Sequence, residues 1–126
     1  MKDKLGIVAV VELVGSSLSL EKVEALLTEV VEGNDRIRQE AIEQQLLVHC
    51  AVRSTSQFND VRVILRSAYW SLLTQVDERR ITKTHFMESA LPIFRHFCSG
   101  EGRSFTQEDK VFFDFLKEKY PHPDVP

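Results

Sequence analysis

Cysteine is scarce: the 126-residue chain holds two, Cys50 and Cys98. That number excludes a disulfide scaffold and fits a reduced intracellular setting. Glycine (5) and proline (4) are too few for a collagen-like or low-complexity chain. No single sign of charge dominates. Sixteen basic and 19 acidic residues leave a net charge of −3, so no global field draws the chain to nucleic acid or an anionic membrane. Long hydrophobic runs are missing too. The longest, Leu5 to Val14, contains Glu12 and falls far short of the ~20 residues of a membrane span. With Met1-Lys2-Asp3-Lys4 before it, the run resembles a secretory leader. Only Gly15-Ser16-Ser17 stands where a cleavage site would be, so a cytoplasmic or nuclear location is expected.

The motifs of common enzymes are also absent. There is no G-x-x-x-x-G-K-[ST], G-x-G-x-x-G, H-E-x-x-H, C-x-x-C, G-x-S-x-G or EF-hand loop. His49 and Cys50 are adjacent, so on a helix they point about 100° apart and share one metal poorly. His96 and Cys98 diverge still more. No Glu-x-x-His pair occurs for a di-metal bundle site. Glu40 and Glu43, following Arg36 and Arg38, read as a solvated, salt-bridged helix face. No cofactor, metal or catalytic residue is expected.

Amphipathic helices are what the sequence does contain. Ser19 is placed to cap a helix with Leu20, Val23, Leu26, Leu27, Val30 and Val31 on its apolar face, and Gly33 to end it as a C′ residue. Asn34 is read as the cap of the next helix, reaching about Val52 with Ile37, Ala41, Ile42, Leu46 and Leu47 as apolar content. Ser56 opens a helix over Phe58 to Val76, closed by the turn Asp77-Glu78-Arg79-Arg80. Thr82 caps a fifth, with Ile81 and Phe86 placed for a hydrophobic staple and Pro92 expected to kink or end it. Thr106 and Asp109 have capping-box spacing before the last helix, which Tyr120-Pro121 stops. Segment 5–14 fits a buried helix or a strand, the helix being preferred because no second strand-like run offers a partner. The expected fold is all-α: a compact bundle of five or six helices in one domain over 1–120, with a tail at 121–126.

Charge and aromatics are unevenly spread. Residues 1–52 carry 5 basic and 9 acidic residues, 53–103 carry 8 and 5, and 104–126 carry 3 and 5. Arg62 and Arg66 lie one helical turn apart and Arg79-Arg80 follow that helix, an arginine ridge able to fork onto carboxylates or phosphates or to pair within the chain. Phe112, Phe113, Phe115 and Leu116 cover too wide an arc for one buried stripe. An excess apolar arc on a bundle often serves as a groove or dimer face.

Residues 55–91, from Thr55-Ser56-Gln57-Phe58 through Ile81-Thr82 to Ala90-Leu91, resemble the helical lid of AAA+ ATPases. The resemblance implies a nucleotide-phosphate contact at Arg62. Gln57 stands where many lids have glycine, the Walker-bearing core is missing, and the likeness covers under a third of the chain. The helix count is also similar to the Bcl-2-like fold, whose Asn-Trp-Gly-Arg motif is absent. The expected function is a non-enzymatic protein–protein interaction module: an adaptor, regulatory or assembly subunit. It would bind a partner or a second copy through Phe112, Phe113 and Phe115 with Tyr69 or Trp70, rimmed by Arg62, Arg66, Arg79 and Arg80. The alternative is an accessory domain that binds nucleic acid or nucleotide phosphate through the arginines. Phe113→Ala is expected to weaken association without unfolding the domain.

Overall fold

The Ser19 hydroxyl accepts from the Lys22 amide and begins the first helix, α1 (Leu20–Glu32), in a computed structural model of the chain. The structure describes residues 18–50, 58–98 and 104–125. Segment 5–14, the Ser56 cap, Arg53 and the loop 99–103 lie outside them. Four more helices follow: α2 (Arg36–Val48), α3 (Phe58–Asp77), α4 (Lys83–Phe97) and α5 (Gln107–Lys119). The architecture is all-helical, with no strand among the described residues. None of these helices is long and apolar enough to cross a membrane.

Helices α1 to α4 form an antiparallel ring in which α1 packs on α2 and α4, and α3 on α2 and α4; α5 lies against α3. Cross-helix pairs set the registers. Arg95 reaches Glu24 and Lys83 reaches Glu32, so α4 runs opposite to α1. Tyr69 on α3 donates its hydroxyl to the Gln39 carbonyl of α2 at 2.7 Å. The apolar face of α1 is buried at Val23, Leu26, Leu27, Val30 and Val31, and α3 contributes Val61, Ile64, Leu65, Ala68, Leu72 and Leu73. Burial of this size drives folding at about 25 cal/mol per Å² of apolar surface. Leu20 is the exception on α1, for it faces solvent.

Several boundaries differ from the sequence expectation. Asp35, not Asn34, caps α2, its carboxylate accepting from the Ile37 and Arg38 amides. Gly33 is the C-cap of α1 in extended backbone rather than a left-handed C′ residue. A Cβ there would lie 3.1 Å from the Glu29 carbonyl oxygen, which the Gly33 amide already uses. Helix α4 passes through Pro92. Pro92 and Glu88 are both exposed, so the carbonyl left without a donor faces water and the inner hydrogen bonds survive. Helix α2 turns Gln39, Ile42, Glu43 and Leu46 inward, while Ala41 is exposed and Ile37 is 80% exposed. Residues 121–125 fold back: Val125 packs on the core, and Tyr120 is buried.

Helix α3 ends in a Schellman motif. The Arg80 amide donates to Gln75, the Arg79 amide to Val76, and Arg79 has φ 60°. A side chain in that left-handed well costs about 1 kcal/mol. Arg79→Gly is therefore expected to stabilise the chain by about 0.5 kcal/mol after glycine's own entropy cost, read as a shifted urea midpoint with unchanged slope.

Candidate interaction surface

The last helix sorts its side chains sharply. The Thr106 hydroxyl accepts from the Asp109 amide at 3.1 Å, and Asp109 Oδ2 accepts from the Thr106 amide at 2.9 Å, completing the capping box. That box fixes the phase of α5, turning Asp109, Phe113 and Leu116 inward. Val111 and Phe115 then point outward, 61% and 56% exposed. Phe112 lies between, half-buried. Its ring stacks on His96 at 4.6 Å and meets Phe97 edge-on at 5.6 Å and Phe115 at 6.3 Å. His96 is held in turn: its Nε2 lies 2.7 Å from Asp109 Oδ1. A buried carboxylate thus orients the imidazole under Phe112, and Phe112 borders the exposed pair. Lys110 and Lys117 both pair with Asp114 on the same helix.

Trp70 on α3 anchors a second, polar surface. Its indole Nε1 donates to Glu43 Oε2, and the Arg36 guanidinium lies 4.2 Å above its ring. Arg66 Nε reaches Glu43 Oε1 at 3.2 Å, and Gln44 donates to the same oxygen. Glu40 and Arg36 complete this open hollow of about 390 Å³. On the other side of Trp70, a hollow of about 370 Å³ is lined by Val63, Arg66, Ser67, His122 and Asp124. Residues of the expected tail thus form part of its wall.

Burial pushes the Glu43 carboxyl above its ordinary value of 4.5, opposed by the Arg66 charge and the Gln44 hydrogen bond. A raised carboxyl pKa means that folding favours the protonated form. The stabilisation is therefore full below pH 4.5 and is lost as pH rises through the raised value. Glu43→Gln keeps an acceptor for Trp70 and removes the buried charge. It should be more stable than the parent at pH 7, with the difference closing below pH 4.5, in urea titrations across that range. The lost Arg66 pair opposes this weakly, because Arg66 is exposed.

The structure divides the residues singled out from the sequence. Tyr69 and Phe113 are buried and offer no surface to a partner. Phe112 and Phe115 sit together on α5, while Trp70 and Arg66 sit together around Glu43. Arg62 is half-buried, and Arg80 pairs with Glu78 in the turn beyond α3 that also carries Arg79. The arginines therefore do not line one ridge. Glu43 was expected on a solvated face, but it is buried because it falls on the inward line of α2. Val111, His96 and Asp109 escaped the sequence reading of the surface; only the capping-box spacing pointed to Asp109.

His49, Cys50 and Cys98 are buried, and Cys98 donates to the Leu46 carbonyl. Burial pushes the Cys98 thiol well up, away from nucleophilic thiolate. Among the described residues, no three His, Cys, Asp or Glu side chains gather as a metal site. The chain matches no protein-family model, no curated protein and no solved structure.

Proposed function

We propose that the chain is a non-enzymatic protein-interaction module, an adaptor or assembly subunit, that docks a protein through the outer face of α5. The supporting observation is the side-by-side exposure of Val111 and Phe115 on a helix whose inner face is already filled. Exposed large apolar side chains grouped on one element, with a stacked aromatic beside them, suit an interface core ringed by polar groups. Phe112 is pre-set by His96, so little side-chain freedom is lost there on binding. Buried thiols outside any disulfide at Cys50 and Cys98 suit a reducing compartment, and we place the protein in the cytoplasm or nucleus.

The test is site-specific photocrosslinking in source cells. A photoreactive phenylalanine replaces Phe115, and a control replaces exposed Thr84 on α4. A discrete protein adduct is expected from position 115 and none from position 84. Equal or absent crosslinking at the two positions would sink the reading.

A further inference from the structure

We propose that the occupant of the α5 face is a second copy of this chain, its α5 running antiparallel across a two-fold axis. The inference rests on the reading of α5 as a docking surface and adds the partner's identity.

Charge is placed along the helix to suit such a partner. Val111 and Phe115 lie about 40° apart around α5 and roughly 6 Å apart along it. A two-fold axis on the outer face, level with position 113 along the helix, therefore brings Val111 of each copy against Phe115 of the other. The same operation brings the N-terminal turn of one α5 to the C-terminal turn of the other. Glu108 and Lys119 lie on one flank of the apolar pair, about 20° apart around the helix, so across the axis each Glu108 meets the opposite copy's Lys119. Gln107 and Glu118 lie on the other flank with a similar separation, and there the amide can donate to the carboxylate.

These groups are available. Glu108 makes no ion pair among the described residues, and the Lys119 ammonium lies over the Phe115 and Tyr120 rings, at 5.7 and 5.6 Å, rather than on a carboxylate. The cation is thus already set beside the apolar pair it would flank. Parallel pairing would instead exchange the flanks, setting Glu108 against Gln107 and Lys119 against Glu118, with the two helix dipoles aligned rather than opposed. The signs on α5 match an antiparallel copy of itself.

Sedimentation equilibrium of the full chain at graded concentrations tests this. The parent should pass from monomer to dimer, and Phe115→Glu should remain monomeric with its helical circular dichroism intact. Glu108→Lys and Lys119→Glu should each weaken the dimer by about tenfold, because two rim pairs are lost and like charges meet. Glu108→Lys/Lys119→Glu together should restore it. A parent chain monomeric at every concentration, a dimer indifferent to Phe115→Glu, or no rescue by the double swap would each overturn the pairing. A monomeric parent that still crosslinks another protein from position 115 overturns the self-pairing alone. A monomeric parent without such crosslinks overturns the docking surface as well.

Discussion

Phe113→Ala should unfold the chain at markedly lower urea, with a loss of about 3–4 kcal/mol, whereas Phe115→Ala two residues away should cost under about 0.5 kcal/mol. Both are phenylalanines on α5, and only the phase of the helix separates them. Phe113 is 5% exposed, its ring edge-on to Phe105 at 6.3 Å, with the Lys117 ammonium 5.2 Å from its centroid. Truncation to alanine loses the transfer free energy of the ring and leaves a cavity that α3 and α5 close only in part. Phe115 gives up surface that water already touches. Trp70, the one tryptophan, reports both transitions by fluorescence because its indole is held between Glu43 and Arg36. This reverses the expectation that Phe113→Ala spares the fold and weakens association. A Phe113→Ala chain as stable as the parent would mean that α5 is rotated from the phase its capping box sets.

The helices were legible because their signals are local. Ser19, Thr82 and Thr106 each cap through a side-chain oxygen accepting from the backbone amide three residues on, as their spacing implied. Apolar periodicity located the buried faces of α1 and α3. Helix α2 was read less well, and the cause is chemical. Its inward line contains Gln39 and Glu43, polar residues that a hydrophobic pattern assigns to solvent. Gln39 donates to the Val30 carbonyl, and Glu43 is met by Arg66 and Trp70, on neighbouring helices. No feature of α2 alone announces those partners. The surface was half legible for the same reason. A crowded run of phenylalanines shows that one helix cannot bury them all, but which ones emerge depends on a phase fixed by Asp109. The two groups of candidate residues, at Trp70 and on α5, were merged because sequence spacing does not say that the polar hollow and the apolar face are separate.

Asp109→Ala should cost about 3 kcal/mol, the larger of the effects expected from removing a single polar group. Asp109 is 1% exposed and serves two elements at once. Its Oδ2 closes the capping box on the Thr106 amide, a contribution of about 1 kcal/mol to α5. Its Oδ1 holds His96 of α4, whose side chain is mostly covered, so truncation leaves a largely buried imidazole nitrogen without this partner. Removing one member of a buried polar pair costs more than the pair contributes, since the survivor stays desolvated. Asp109→Asn keeps the shape and one acceptor oxygen and should recover about half the loss. The coupling is testable by a double-mutant cycle with His96→Ala, in which the double variant should be more stable than the sum of the singles predicts by about 1 kcal/mol or more. Additive losses would show that the 2.7 Å contact carries no energy. The consequence extends to the outer face, because the imidazole that Asp109 orients is the ring on which Phe112 stacks. Asp109→Ala should therefore also weaken dimerisation at urea concentrations where the monomer stays folded, while His96→Phe, which restores a ring under Phe112 without the carboxylate contact, should return part of it.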